Sequence, residues 1–255
     1  MNAFPADGCS ARRRDRTRSP PEFAESAAIV GNPELNYLRA LHVGAGVEYK
    51  FNQYVSLGVE GFYKYLFDRV VSTPMGLAPF YENGGIGNIY GLEVSGRWNP
   101  WGRFFGFLSY TFSRSERRDH PGDPWRLFDY DQTHIFTVAG VYRLGDGWEI
   151  GATFRLVTGN PYTPVTGAFY DVNADVYQPI YGAVNSVRND YFHRLDLRVE
   201  KQWRFDGWSL ALYLDVQNVY NAANPEGRLY NYDYRQSQVV SGLPIIPSLG
   251  IRGEL

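Results

Sequence analysis

The chain has 255 residues, with 20 Tyr, 16 Phe and 6 Trp but only 20% charged residues, and its formal net charge is -2. This near-neutral charge gives no reason to expect a nucleic-acid partner. The single cysteine, Cys9, excludes an intramolecular disulfide framework. The chain contains no apolar run of about 18 residues, so the sequence predicts no transmembrane helix. A membrane β-barrel is compatible with this composition because half of each barrel strand is polar.

The first thirty residues differ in composition from the rest. Residues 12–18 are rich in arginine, and residues 9–21 show no alternation of polar and apolar side chains. A signal peptide would follow its positive charges with an apolar stretch of about 7 to 15 residues, but Pro20, Pro21 and Glu22 stand there. We therefore expect residues 1–30 to be a disordered or non-native tail rather than a functional basic arm, and residues 31–255 to form the folded domain.

From residue 32 onward, apolar and polar residues alternate in a series of segments. Period-two alternation places successive side chains on opposite faces of a strand. Residues 133–143 alternate poorly, and their faces cannot be assigned from the sequence. The predicted strands lie at residues 41–51, 55–64, 90–98, 108–113, 133–143, 148–156, 194–205, 208–217 and 249–255.

The hairpin at residues 194–216 has the clearest alternation. Charged residues such as Arg194, Asp196 and Arg198 alternate with apolar ones, and Asp206-Gly207 makes a tight turn. The alternation lasts longer than the five or six residues usual in a globular sheet, and about 9 to 11 residues cross a bilayer when tilted. Since the charges are too dense for a packed core, we expect them to face water and the apolar face to contact lipid. The pattern predicts an outer-membrane β-barrel.

The connections between the predicted strands are of two kinds. Short turns lie at Asn52, Asn99, Asp146 and Asp206, whereas long polar loops span residues 68–87, 116–131, 159–190 and 221–247. Outer-membrane barrels have short periplasmic turns and long extracellular loops, with aromatic girdles at both interfaces. Trp125 lies in a long loop. The predicted membrane-interface girdle beside the short turns consists of Trp98, Trp101, Trp148, Trp203 and Trp208.

The predicted strand count is about nine. Bacterial barrels whose termini share the periplasmic side have even numbers of strands, so an odd count predicts that amino-terminal strands are missing. Nine strands alone would also leave two open edges in the membrane, where unpaired backbone groups are costly. We therefore expect a partial barrel that depends on further strands.

Five short motifs resemble one known family. They are Asn32-Pro33-Glu34-Leu35, Tyr90-Gly91-Leu92-Glu93, Asp131-Gln132-Thr133-His134, the run from Asp215 to Asn221, and Pro247-Ser248-Leu249-Gly250-Ile251. Their order and spacing resemble the carboxy-terminal barrel of TonB-dependent outer-membrane receptors over residues 31–255. The resemblance implies an all-β antiparallel meander that supplies the last nine or so strands of a 22-strand barrel, without the plug domain and its TonB box.

The same resemblance implies energised uptake of a siderophore, cobalamin, a sugar or another scarce solute in the outer membrane of a Gram-negative bacterium. Loops and plug would capture the ligand, and TonB would act only through the absent plug, so we expect no uptake by this chain alone. Other expected partners are outer-membrane lipid, lipopolysaccharide and the missing amino-terminal barrel, with no cofactor. The candidate ligand contacts are Arg117, Arg118, His120, Trp125, Tyr162, Tyr170, Tyr177, Tyr181, Tyr230, Tyr232 and Tyr234.

Enzymatic and soluble alternatives have weaker support. The pairs Asp131 with His134 and Asp119 with His120 suggest hydrolase chemistry, but no G-x-S-x-G elbow supplies a nucleophile. The four histidines lack metal-ligand spacing. A soluble lipocalin-like barrel or β-sandwich, or a porin or adhesin barrel, remains open on the pattern alone. The remaining strand charges are expected to pair with one another or to brace the plug: Glu93, Arg97, Arg155, Arg194, Asp196 and Arg198.

Overall fold

The computed structural model describes residues 9–19, 32–73 and 80–255, with the backbone alone for residues 9–19 and Trp101. Among these residues, no helix is long and apolar enough to cross a membrane. The strands are β1 (Cys9–Ser19), β2 (Leu38–Lys50), β3 (Val55–Ser72), β4 (Tyr81–Trp101), β5 (Phe104–Arg118), β6 (Arg126–Leu127), β7 (His134–Gly145), β8 (Trp148–Val157), β9 (Pro161–Tyr162), β10 (Val165–Asp171), β11 (Val176–Tyr181), β12 (Val187–Arg188), β13 (Phe192–Phe205), β14 (Trp208–Gln217), β15 (Pro225–Tyr230), β16 (Ser237–Ser241) and β17 (Ile246–Glu254).

The long strands form a single antiparallel meander. Their order is β1-β2-β3-β4-β5-β7-β8-β13-β14-β17, with the short strand β6 paired to β5. The nine long strands that follow residue 32 confirm the predicted all-β meander. They range from 9 residues in β17 to 21 in β4. Since each long strand pairs with the next along the chain, nearly all regular backbone hydrogen bonds stay within one sheet.

The predicted connections are confirmed in kind but not in every boundary. β3 and β4 continue to Ser72 and from Tyr81, so much of the predicted loop at residues 68–87 is strand, with a register shift beside Asp68 at φ 56. The second short turn lies at Gly102, whose φ is +62, and not at Asn99. The β4–β5 register shifts between Trp98 and Trp101. Because proline is tolerated at such a bulge, β4 continues through Asn99 and Pro100.

Strand β1 lies within the segment that the sequence predicts to be a tail. Its residues pair antiparallel with β2, from Cys9 opposite Val47 to Ser19 opposite Leu38, with one irregularity. Residues 1–8 and 20–31 lie outside the described residues. The domain boundary at residue 31 stays a prediction.

Cross-strand register gives the meander one apolar and one polar face. Val199 lies opposite Ile150 on β8 and Leu214 on β14, and Leu214 lies opposite Leu249 on β17. We call this side the apolar face. One residue along, Arg198 lies opposite Asp215, and this side is the polar face. Leu249 is 72% exposed, so no second layer covers the apolar face in the described part of the chain. The face needs an apolar surrounding that the sheet itself does not supply.

The register also assigns the faces of β7, which its sequence leaves open. Val138 lies opposite Leu108 and Phe154 on the apolar face, whereas Thr137 lies opposite Arg155 on the polar face. Gly140 and Ala139 blur the alternation because small residues occur on both faces of this strand. Pairing partners therefore decide what the hydrophobic pattern of β7 cannot.

Several charges of the polar face pair with one another, as predicted. Arg198 contacts Asp215 at 2.9 Å and Glu200 at 2.6 Å, and Glu200 also accepts from Arg252 at 2.9 Å. Arg194 pairs with Asp196 at 2.9 Å. By contrast, no ion pair forms within the described ranges at Glu93, Arg97 or Arg155. The polar face thus carries both a network of ion pairs and charged side chains without an ion-pair partner among the described residues, and both kinds of group suit contact with water.

Gly250 tests the packing on the polar face. A Cβ at Gly250 would meet the ring of Tyr213, with Cε2 at 2.6 Å, and the Arg198 guanidinium lies 4.0 Å from the centroid of the same ring. We expect Gly250→Ala to destabilise the folded chain by about 1–3 kcal/mol through overpacking. Urea unfolding of the whole receptor in detergent micelles measures the effect. Gly253→Ala is the control on the same strand, because nothing lies within 4 Å of its Cβ position, and equal losses for both variants would contradict the packing argument.

Candidate ligand-binding loops

The meander places its short turns at one end and its long connections at the other. The turn end holds residues 51–54, 102–103, 146–147 and 206–207, and the loop end holds Thr73, Phe80 and residues 119–133, 158–191 and 218–245. Asp146, at φ 50, and Gly207, at φ 81, adopt the left-handed conformation that two-residue hairpin turns require. All predicted ligand contacts lie in or beside the loop-end connections.

Two small hairpins at the loop end line an open cavity of about 660 Å³. One hairpin is β10–β11, which pairs Tyr170 with Tyr177, and the other is β15–β16. Five predicted contact residues line this tyrosine cavity: Tyr170, Tyr177, Tyr230, Tyr232 and Tyr234. Their ring centroids are 5.2 Å apart for Tyr170–Tyr177, 5.9 Å for Tyr177–Tyr232 and 5.8 Å for Tyr230–Tyr234.

Polar groups lie between the aromatic rings in the wall of the tyrosine cavity. The Tyr170 hydroxyl donates a hydrogen bond to Asp175. Arg228 donates to the Ser237 hydroxyl at 3.0 Å and lies 5.2 Å from the ring of Tyr162. The buried Nε of Arg228 has no hydrogen-bond partner. Aromatic faces beside a cation and a few donors are typical of a site that holds a ring-bearing or anionic ligand.

Two predicted contacts lie outside this cavity. Tyr162 reaches it only through Arg228. Tyr181 pairs with Val165 at the base of the β10–β11 hairpin and is 63% exposed. The structure therefore separates Tyr181 from the other tyrosines of its hairpin.

The four remaining predicted contacts form a separate group near β6. The Arg118 guanidinium lies 5.2 Å from the Trp125 ring, and Arg117 lies 4.4 Å from the ring of Phe128. Arg117 is only 4% exposed and donates to the Ser115 hydroxyl at 3.1 Å. This burial disfavours direct ligand contact by Arg117, whose role in the structure is to support the strand end beneath the loop.

His120 ties its loop to the end of β3. Its Nδ1 lies 3.0 Å from an Asp123 carboxylate oxygen and its Nε2 lies 2.9 Å from the Ser72 carbonyl oxygen. Because both neighbours are acceptors, both nitrogens must carry protons to satisfy them. The hydrogen bond to Asp123, then that to Ser72, raises the pKa of His120.

The hydrolase pairs suggested by the sequence do not form. Asp119 contacts Arg126 at 2.9 Å rather than its neighbour His120. Burial raises the pKa of Asp119, but the hydrogen bonds and charges of Arg126 and Arg69 outweigh burial and leave the pKa lowered. His134 Nδ1 lies 2.9 Å from the Tyr110 hydroxyl, not beside Asp131. In the described ranges, no group of acidic, histidine or cysteine side chains could hold a metal ion.

Asp131 instead anchors two loops together. It is 1% exposed, accepts from the Ser115 amide at 2.6 Å and from the Thr133 hydroxyl at 2.9 Å, and pairs with Arg188. Arg188 also donates to the Gly159 carbonyl at 3.1 Å. Sequence reasoning missed this pair, because 57 residues separate its members and Arg188 stands alone in a polar loop.

Two buried asparagines fix the last loop in a similar way. The Asn218 amide donates to the carbonyls of Ala222 at 3.0 Å and Leu243 at 3.2 Å, which joins the two ends of the loop. The Asn224 side chain accepts from the His193 amide at 2.8 Å and donates to its carbonyl at 3.0 Å. Both asparagines satisfy backbone groups that would otherwise be buried without partners.

Four tryptophans of the predicted girdle lie on the apolar face at the turn end. The register places Trp98 opposite Val55, and Trp148 opposite Lys201. Trp203 and Trp208 lie on the next hairpin, where Trp208 stacks on Phe205 at 4.4 Å. For Trp101 the structure describes only the backbone. A role of this row at a membrane interface stays a prediction.

A family model described as "TonB dependent receptor-like, beta-barrel" matches residues 16–219, a range that begins within β1. The chain belongs to the TonB-dependent receptor β-barrel family. This family consists of outer-membrane transporters of Gram-negative bacteria rather than enzymes. The match selects the receptor barrel over the porin, adhesin and soluble-barrel alternatives.

Solved receptors share the fold of the chain. The ferric-catecholate import receptor Fiu of E. coli K12 is 17% identical at a TM-score of 0.66, over 95% of this chain and 32% of Fiu. FpvA of P. aeruginosa is 13% identical at a TM-score of 0.63, over 95% of this chain and 30% of FpvA. The FrpB iron transporter of Neisseria meningitidis is 15% identical at a TM-score of 0.62, over 95% of this chain and 36% of FrpB. The chain thus spans about a third of each receptor. No curated protein matches it.

The Asp131–Arg188 pair yields a stability prediction. Breaking a buried ion pair by neutralising one partner costs about 3–5 kcal/mol, so Asp131→Asn should loosen the two joined loops and lower stability. Limited proteolysis at residues 119–133 and 158–191, together with urea unfolding, both on the whole receptor in micelles, measures the two effects. Glu149→Gln breaks the exposed Arg143–Glu149 pair of 2.8 Å and should cost at most about 1 kcal/mol. Unchanged loop cleavage in Asp131→Asn would show that the pair is not an anchor.

The His120 contacts yield a pH prediction. A pKa raised in the folded state stabilises the loop fully below the ordinary value of 6.5, and this stabilisation is lost as pH rises through the raised pKa. Hydrogen exchange of residues 119–125 should therefore be slower at pH 5.5 than at pH 8.5, after correction for intrinsic rates. His120→Gln should remove this difference. A wild-type loop that is equally protected at both pH values would contradict the assignment.

Proposed function

We propose that this chain contributes barrel wall and ligand-binding loops to an outer-membrane receptor for energised uptake of a siderophore or another scarce solute. One observation carries the proposal. Five loop tyrosines that sequence reasoning selected converge on a single cavity at the loop end of a receptor-family barrel. Residues 31–255 would form most of the receptor domain, and β1, which pairs with β2, would add to its sheet.

The orientation of the barrel follows from its two faces and two ends. The exposed apolar face would contact lipid, and the row of tryptophans at the turn end would lie at the periplasmic interface. The long loops would then face the outside of the cell, where solute arrives. The polar face would line the interior, so that its ion pairs and free charges contact water or the plug.

The chemistry of the tyrosine cavity favours a solute with rings and negative charge. Its volume of about 660 Å³ lies within the range of roughly 300–1,000 Å³ usual for small-molecule sites. The tyrosine rings offer stacking surfaces, and Arg228 adds a cation that no carboxylate neutralises among the described residues. The described activities of Fiu, FrpB and FpvA as iron or ferric-chelate receptors support an iron chelate as the solute class.

Uptake would be a property of the whole receptor. The family supplies a plug domain that closes the barrel and contacts TonB, and we propose both as functional partners, together with outer-membrane lipid and lipopolysaccharide. The loops of this chain would capture the solute, and TonB would then pull on the plug to open a path. In this scheme no residue of the chain performs covalent chemistry, and no cofactor or nucleic acid takes part.

Binding measurements on the receptor in its native gene context test the proposal. Tyr177→Ala and Tyr230→Ala remove rings from the cavity wall, and each should weaken ferric-chelate binding by about 1–2 kcal/mol, or roughly five- to thirtyfold in Kd. Intrinsic fluorescence quenching in isolated outer membranes measures Kd, and radiolabelled iron measures uptake. Tyr181→Ala is the matched control, since Tyr181 lies outside the cavity. Unchanged Kd in both cavity variants would exclude the tyrosine cavity as the solute site.

A further inference from the structure

Two cations flank the turn between β7 and β8 at the turn end. From the neighbouring β4–β5 turn, Arg103 donates to the Leu144 carbonyl oxygen at 3.0 Å. From β13, the Lys201 ammonium donates to the Asp146 carbonyl oxygen. Both side chains therefore reach the same short segment from opposite sides. We call Arg103, Lys201 and the two tryptophans next to Lys201, Trp148 and Trp203, the rim site.

Neither cation of the rim site has a carboxylate within ion-pair distance in the described ranges, although neighbouring cations do. Arg143 pairs with Glu149 at 2.8 Å, and Arg252 pairs with Glu200 at 2.9 Å, both on the polar face. A cation without a carboxylate partner attracts anions, and the attraction is stronger where the surrounding dielectric is low. The rim site thus has positive charge that its own chain leaves uncompensated.

Lys201 lies on the apolar face, which is unusual for a charged residue. The register places it opposite Trp148 on β8 and Leu212 on β14. Its Nζ lies 5.3 Å from the Trp148 ring centroid and 5.8 Å from that of Trp203. The aliphatic stem therefore runs along the apolar face while the ammonium reaches the turn, as lysines do at a lipid–water boundary. One of the three ammonium donors is used by Asp146.

We propose that the rim site binds the phosphate of an anionic phospholipid in the leaflet at the turn end. Lys201 and Arg103 would donate to the phosphate, and the two tryptophans would frame the headgroup with their exposed rings, Trp148 at 43% and Trp203 at 38%. Acyl chains would lie along Ile150 and Val199, one position deeper on the same face. A lipid fits better than a free anion because cationic and apolar surfaces are continuous here.

Asp146 is the acidic residue of the β7–β8 turn that both cations contact. Its carbonyl holds Lys201, while its carboxylate adds negative charge to the turn that the phosphate would approach. Asparagine tolerates the same positive φ of 50, so Asp146→Asn keeps the turn and removes only the charge. This variant should bind the lipid more tightly, which a purely structural role of Lys201 does not predict.

Native mass spectrometry on the receptor extracted from outer membranes in mild detergent tests the proposal. The probe lipids are phosphatidylglycerol and phosphatidylcholine in equal amounts, with inorganic phosphate as a competitor. We expect preferential retention of phosphatidylglycerol, reduced about fivefold by Lys201→Gln and further by adding Arg103→Gln, and increased by Asp146→Asn. Inorganic phosphate should not displace the lipid.

The matched control is Lys50→Gln. Lys50 also lies beside a short turn, but register places it opposite Ser56 on the polar face, so its loss should leave lipid retention unchanged. Equal retention of both lipids, or equal losses in Lys50→Gln and Lys201→Gln, would overturn the rim site, as would displacement by inorganic phosphate. The inference rests on the proposed membrane orientation but not on solute uptake. Recovery of the chain outside the membrane would refute both the lipid site and the proposed function. A receptor that retains the lipid but takes up no ferric chelate would refute the uptake proposal alone.

Discussion

The uncovered apolar face of a single sheet is the constraint on which the rest of the structure depends. A one-layer sheet normally buries its apolar side against another layer, yet Leu249 and Ile251 at the end of the meander are each 72% exposed. Such a surface is costly in water and favourable in lipid. Lipid in turn offers backbone groups no hydrogen bonds, so the strands must pair with neighbours along their whole length. Long antiparallel strands joined in sequence order meet both demands.

The same constraint moves polar chemistry to the other face and to the two ends. Arg198, Glu200 and Arg252 form a chain of ion pairs on the polar face, where one carboxylate serves two guanidinium groups. At the loop end, where strands leave the sheet, backbone groups lose ladder partners. Buried side chains replace these partners, and Asp131 and Asn218 each serve several donors or acceptors. The few fully buried polar residues are therefore concentrated where regular pairing stops.

Much of this architecture could be predicted from the sequence, because alternation in a strand is a local property. The hairpin at residues 194–216, the loop and turn ends, and the row of tryptophans were all accessible in that way. β7 was not, since small residues erase the contrast between its faces. The extension of β3 and β4 beyond the apolar band was also missed, because polar residues there resemble a loop. Contacts such as Asp131–Arg188 depend on which loops meet in space, and no local pattern encodes that.

The candidate site shows the same division between local and distant information. Composition singled out the loop tyrosines as a class, but only the pairing of β10 with β11 and of β15 with β16 separates those of the cavity from Tyr181. Each hairpin stands on a polar anchor at its base: Asn185 donates to the Leu127 carbonyl at 2.9 Å below the first, and Asn218 joins the loop ends below the second. The paired strands and the anchored bases thus fix both hairpins, whereas their tips have fewer fixed contacts. If the proposed solute site is correct, substitutions at the tips change solute choice while the anchors and the strands stay the same.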